Sequence, residues 1–155
     1  MPAYTITAKN IVTSSAANNY DVAVQMMSIP RASTVVMVKR IQVSEDTPND
    51  NTMHIIGYLT STTATGTVGA TAIPKNAMWR ASGASLFIKS GTTSTVVTGI
   101  TFTVFEADFN GRGVWEWIAR DELDYFVTYP SSYFTLALLC SSASVTAQVL
   151  VDWID

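Results

Sequence analysis

Apolar and polar residues alternate along most of this 155-residue chain, and turn-forming residues interrupt the alternation repeatedly. In residues 4–12, Tyr4, Ile6 and Ala8 fall on one side of an extended strand and Thr5, Thr7 and Lys9 on the other. Successive side chains of a strand point to opposite faces, so a two-residue period predicts a half-buried strand. Residues 20–29 repeat the pattern: Val22, Val24 and Met26 alternate with Asp21, Ala23 and Gln25, and Pro30 ends the ladder. The longest predicted strand covers 34–45. It sets Val35, Met37, Ile41 and Val43 on one face and Val36, Val38, Arg40, Gln42 and Ser44 on the other, which predicts cover on both sides of its first half. Further strands are predicted at 53–61, 85–90, 100–106, 113–119, 125–129, 133–141 and 144–154. The last of these sets Val145, Ala147, Val149, Val151 and Trp153 against Thr146, Gln148, Leu150 and Asp152. Their β-branched and aromatic residues suit a pleated surface.

Between these segments lie a Ser/Ala/Asn turn at 13–19, the loop Asp46-Thr-Pro-Asn-Asp-Asn51, a tight turn at 109–113 and a polar loop at 120–124. Residues 62–77, rich in Thr, Gly and Ala, form a predicted loop longer than most connections, and such loops usually carry function. No segment reads as a helix longer than a turn or two. The expectation is therefore one all-β domain over residues 1–155, a single antiparallel sandwich of eight to ten strands and of jelly-roll type. The alternative is an immunoglobulin-like sandwich, whose marker of two cysteines around a buried tryptophan is missing. A chain of this length can bury enough surface to fold without metal or disulfide.

Charge changes this picture. Only 14% of residues are charged, against roughly 25% in typical soluble domains, and the formal net charge is −3. One reading is a β protein that uses Ser and Thr as its polar residues. The other is a subunit whose surface is covered in an assembly, because interface cores are depleted in charge. The basic residues are scattered apart from the pair Lys39-Arg40, so the clustered positive footprint that nucleic-acid binding needs is missing. The single cysteine, Cys140, ends the apolar run Phe134-Thr-Leu-Ala-Leu-Leu-Cys140 and reads as a small buried hydrophobe. The first residues lack a basic stretch followed by an apolar one, and no apolar run approaches the roughly 18 residues of a membrane span. Folding in a cytoplasm, with no membrane partner, is the expectation.

Candidate chemistry is sparse, and the expectation is a protein that is not an enzyme and needs no cofactor or metal. His54 is the only histidine, so any Ser/His/Asp or Cys/His centre would need it as base. No Gly-x-Ser-x-Gly elbow accompanies it. One His and one Cys cannot make an ordinary zinc site. Glu106, Asp108, Glu116, Asp121, Glu122 and Asp124 cluster with Arg112 and Arg120. Two of these acids facing each other across a cleft could hydrolyse a glycoside, but solvated loop charge and ion pairs are the plainer reading. Asp46, Asn49, Asp50 and Asn51 offer oxygen ligands without the spacing of a calcium loop. Gly66/Gly69 and Gly111/Gly113 do not lead from a strand into a helix, so neither pair cradles phosphate. The strongest candidates are aromatic: Trp115, Trp117, Tyr125, Phe126, Tyr129 and Tyr133. Trp and Tyr dominate binding hot spots, and these six are the expected interface residues.

The layout as a whole resembles small structural proteins of tailed-bacteriophage virions. An opening strand is followed by Tyr20-Asp-Val-Ala-Val-Gln-Met-Met-Ser-Ile-Pro30, then by the long Val/Ile strand over 35–43 and by an acidic Asn/Asp loop leading into another strand at 46–59. A Thr/Gly-rich insertion at 60–74 comes next, then the turn Phe109-Asn-Gly-Arg-Gly-Val-Trp115, the acidic loop at Arg120-Asp-Glu122, and a final strand pair over 134–155. The resemblance spans nearly the whole chain. It implies a jelly-roll domain made in the host cytoplasm and incorporated into the virion as a head decoration, cement or minor capsid protein. Its implied partners are its own copies, as a homotrimer, and the major capsid protein. Residues 1–12 and the loop at 62–77 are the parts expected to reach across subunit boundaries. A carbohydrate- or receptor-binding module of a phage tail is the second reading, with Trp115 and Trp117 as the sugar platform. A small glycan hydrolase is a distant third.

Overall fold

The computed structural model describes residues 3–13, 21–28, 35–46, 50–62, 73–75, 84–88, 97–129, 131–140 and 145–154. The strands among them are β1 (Ala3–Val12), β2 (Asp21–Ser28), β3 (Val36–Glu45), β4 (Thr52–Thr60), β5 (Ile73–Pro74), β6 (Ala84–Ile88), β7 (Ile100–Asn110), β8 (Val114–Ile118), β9 (Phe126–Thr128), β10 (Tyr133–Cys140) and β11 (Thr146–Ile154). Among the described residues one 3-10 turn, Glu122–Asp124, lies between β8 and β9. No helix of the described residues is long and apolar enough to cross a membrane.

The strands form two antiparallel sheets packed as a sandwich. The first has the order β5-β1-β11-β3-β8, with β9 paired to β3 beyond the end of β8. The second has the order β6-β2-β10-β4-β7. From β1 to β4 the chain crosses to the opposite sheet at each step, and β10 and β11 do so again, so partners in a sheet are far apart in sequence: β1 pairs with β11 and β2 with β10. One hydrophobic cluster fills the space between the sheets. The first sheet supplies Tyr4, Ile6, Ile11, Val36, Val38, Ile41, Val43, Val149, Val151 and Trp153, and the second supplies Val24, Met53, Ile55, Phe134, Leu136, Leu138 and Cys140. Tyr4 stacks on Trp153 at 5.7 Å, and both are fully buried. Burial of each such side chain contributes roughly 1.5–3 kcal/mol.

The faces of β11, and of β1 as far as Ala8, follow the two-residue period read from the sequence; a register shift between Ala8 and Ile11 then turns Ile11 to the core as well. The faces of β3 do not follow that period. Val36 and Val38 are buried in phase with Ile41 and Val43, not opposite to them. The cause is a register shift: Val38 pairs with Trp153 and Arg40 with Asp152, so Lys39 is an extra residue. Such a β-bulge adds one residue to one strand and restores the core phase beyond it. β7 is longer than the predicted strand, because Glu106 and Asp108 alternate with Ala107 and Phe109 and carry the period to Asn110.

The predicted loop at 62–77 also contains structure. Ile73–Pro74 forms β5 against Tyr4 and Thr5, and Lys75 donates its backbone N–H to Ala3 at 2.9 Å. A proline is tolerated at such an edge because one side of the strand needs no donor. Lys75 Nζ lies 2.6 Å from Asp152 Oδ2, covering a carboxylate that is almost fully buried. β1 itself is held along its length by β11 of the same chain.

β10 is the central strand of the second sheet, and Phe134 through Cys140 are all buried. This explains their continuous apolar run: a strand covered on both faces has no polar side. Its outer face lies under a second small cluster, in which Ile56, Tyr58 and Ala137 pack with Val97. Beside this cluster the buried Gln25 side-chain amide donates to Thr135 Oγ1 at 2.9 Å, to Thr60 Oγ1 at 3.2 Å and to the Thr62 carbonyl at 3.1 Å. The polar atoms under this cover are thus hydrogen-bonded, as burial requires.

Candidate interaction surface

β7 and β8 are joined by a tight turn and close the same side of the sandwich, one at the edge of each sheet. The turn forms because Gly113 N–H donates to the Asn110 carbonyl and Arg112 N–H to Asn110 Oδ1, both at 2.9 Å. Arg112 then grips Asp50 through Nε at 2.7 Å and a terminal nitrogen at 2.8 Å, which ties the turn to the segment before β4.

Between the two edge strands runs a chain of stacked rings. Phe105 of β7 stacks on Trp115 at 5.6 Å and on Phe126 at 5.1 Å; Phe126 stacks on Trp117 at 4.0 Å and on the buried Phe134 at 5.7 Å. Trp115, Trp117 and Phe126 therefore pack inward against the core, each half-buried. Tyr125 and Tyr133 are also half-buried, and Tyr129 is 62% exposed. Of the six aromatic residues singled out in the sequence, the structure brings three together and leaves one open to solvent.

The apolar residues that face outward are mostly different ones. Among the described residues the exposed large hydrophobic side chains are Ile100 and Phe102 on β7, Val114 and Ile118 on β8, Leu123 in the 3-10 turn, and Tyr129 after β9. All fall within residues 100–129. Leu123 is 94% exposed and Phe102 63%. Val114 and Ile118 alternate with the tryptophans, so the parity of this strand already contained the signal: if Trp115 and Trp117 point in, Val114, Glu116 and Ile118 must point out.

Four of the six acids clustered in the sequence have partners of their own, two of them charged or ionisable side chains and two of them backbone N–H groups. Glu116 Oε1 accepts from Arg40 Nε at 2.8 Å on the outer face of the first sheet. Asp108 pairs with His54 on the outer face of the second. Asp121 caps the 3-10 turn by accepting from Leu123 N–H at 2.8 Å, and Asp124 Oδ2 accepts from Arg120 N–H at 3.2 Å. Glu106 and Glu116 lie on opposite outer faces of the sandwich, so they do not face each other across a cleft. Cys140 is fully buried among core residues, whereas His54 alternates with the core residues Met53 and Ile55 and so faces the other way.

No group of three or more His, Cys, Asp or Glu side chains that could hold a metal occurs among the described residues, and the Asn49 position of the suggested calcium loop lies outside them, as do Gly66 and Gly69. A shallow depression of about 190 Å³ on the outer face of the first sheet is lined by Thr7, Gln42, Ser44, Gln148 and Leu150. That is below the roughly 300 Å³ at which small-molecule pockets begin.

Compared with known proteins, the chain matches no family model, no curated protein and no solved structure.

Proposed function

We propose that this chain is a structural subunit of a tailed-bacteriophage virion, a decoration or cement protein that works by binding and not by catalysis. The observation that carries the reading is that, among the described residues, the exposed large apolar side chains all fall within 100–129, on and beside the edge strands β7 and β8. Exposed apolar side chains gathered on the two edge strands that close one side of the sandwich support a protein contact there, and a chain with only 14% charged residues has little charge to keep them apart from neighbours. The partners in this proposal are further copies of the chain, as a homotrimer, and the major capsid protein. Repeated weak contacts around a symmetry axis then add up by multivalency.

Strand order supports the jelly-roll form of the sandwich. Leaving aside the edge strands β5 and β6 and the three-residue β9, the sheets read β1-β11-β3-β8 and β2-β10-β4-β7. That is an eight-strand arrangement in which two Greek keys interleave. The glycan-binding reading draws less support, because the rings of Trp115 and Trp117 are stacked on Phe105 and Phe126 and do not lie open as a platform.

The test is co-sedimentation of the purified chain with heads of the phage whose genome encodes it. The wild-type chain is expected to pellet with the heads, and Phe102→Lys is expected to weaken pelleting at least tenfold in apparent affinity, about 1.4 kcal/mol. A wild-type chain that stays in the supernatant with heads and binds glycans on an array overturns the proposal in favour of the tail module.

A further inference from the structure

The side of the sandwich that carries these exposed apolar residues has two sheet edges with no described strand beyond them, and they differ. The β7 edge is blunted. Register shifts leave Thr101 and Val104 as extra residues, and Glu106 and Asp108 bring acid to its other half. Bulges and charges are the usual devices that keep an edge from pairing. The β8 edge carries no such bulge. All five residues, Val114 to Ile118, pair in continuous register with Ser44 to Arg40 of β3, and no described strand lies on the other side.

The sequence of β8 is Val-Trp-Glu-Trp-Ile. It reads nearly the same in both directions: an aliphatic residue at each end, a tryptophan inside each, and one glutamate at the centre. Two antiparallel copies of a palindromic strand match side chain for side chain about a twofold axis, which is what an isologous interface demands. We infer that β8 pairs antiparallel with β8 of a second copy, on an axis passing beside Glu116, and so joins two first sheets into one.

In this register Val114 lies opposite Ile118 of the other copy on the outer face, and Trp115 lies opposite the second copy's Trp117 on the inner one. Val114 and Ile118 are 57% and 56% exposed in the single chain, and the tryptophans are half-buried, so both rows have area left to cover. Aliphatic and aromatic pairs directly opposite each other stabilise a sheet, and like charges in that position destabilise it. The one like-charged pair, Glu116 with its copy, is compensated on each side: Arg40 contacts Glu116 at 2.6 Å. Shifting the pairing by two residues would set Glu116 against Val114 or Ile118 and leave one aliphatic residue unmatched, so the centred register is favoured. Leu123, 94% exposed, lies in the turn just beyond β8 and adds apolar surface beside the pair.

The inference rests on the reading of the chain as an assembling subunit, but its geometry is independent of the capsid. A twofold pairing gives a dimer, or a hexamer if the chain is also trimeric. In either case the number of copies is even. The experiment is a charge-exchange mixture followed by analytical ultracentrifugation. One double variant carries Val114→Lys and Ile118→Lys, the other Val114→Glu and Ile118→Glu. All four substitutions are at exposed positions, and circular dichroism checks that each variant folds.

The wild-type chain is expected to sediment with an even number of copies. Each double variant alone is expected to fall to half that mass, because its like charges now face each other, and mixing the two is expected to restore the wild-type mass. A folded wild-type monomer or trimer, variants that keep the wild-type mass, or a mixture that stays dissociated each overturn the pairing. Head co-sedimentation is read separately. Variants that lose the pairing yet still pellet with heads leave the virion proposal standing, and a paired chain that ignores heads does the reverse.

Discussion

Gly57 sits on β4 beneath the ring of Phe105, and a Cβ at this position would collide with the ring edge. The ring cannot move freely, because it is stacked between Trp115 and Phe126. Gly57→Ala is therefore expected to destabilise the fold by about 1–3 kcal/mol, the usual cost of overpacking. Urea unfolding followed by tryptophan fluorescence would report it, and an unchanged midpoint would mean that the stack yields. Nothing in the sequence marked this glycine, since its role comes from a residue 48 positions away across the sheet. Cys140 was easier to read. Its apolar neighbours predicted burial, and it is fully buried.

Elements depend on parity, and β3 shows how one residue alters it. Because Lys39 is extra, Val36 and Val38 share the core face with Ile41 and Val43. Deleting Lys39 would remove the bulge and leave Val36, Val38, Ile41 and Val43 on one face of a regular strand, so the dispersed methyl and amide signals of a folded NMR spectrum are expected to survive. Deleting Met37 instead would put Val36 on the outer face, because a one-residue slip turns every side chain beyond it over, and this deletion is expected to lower the thermal midpoint more than the loss of Lys39. β8 supplies the opposite contrast. Trp117→Ala removes a ring stacked on Phe126 and is expected to cost about 2–4 kcal/mol. Ile118→Lys, on the other face of the same strand, is expected to change stability by no more than about 0.5 kcal/mol, although it alters association. Equal losses at the two positions in thermal melts would contradict the assignment of faces. The alternation of β8 was legible in the sequence. Which of its faces was the inner one was not, because both carry large apolar residues, and tryptophan fits a core and a hot spot equally well.

At the scale of the whole molecule, the chain closes on itself through its ends: β1 pairs with β11, and β11 with β3. Contacts between residues so far apart must overcome loop-closure entropy before they contribute, so all-β domains of this kind fold slowly. Refolding by dilution from denaturant is expected to take about milliseconds to seconds, reported by tryptophan fluorescence, to which the buried Trp153 contributes. A microsecond phase carrying the full amplitude would contradict this topology. The sequence alone determined that the chain is built of strands and that they form an antiparallel sandwich, because a two-residue period of burial and the choice of β-branched residues are local properties of the chain. It also determined that one region, rich in aromatic and acidic residues, stands apart from the rest. Only the tertiary structure decided which strands are neighbours, that Trp115, Trp117 and Phe126 stack inward while Val114, Ile118, Phe102 and Leu123 are exposed, and that the clustered acids Glu106 and Glu116 lie on opposite outer faces of the sandwich. Those outcomes depend on register and on single-residue bulges, which are set by the packing of distant segments and leave no mark in any local window of the sequence.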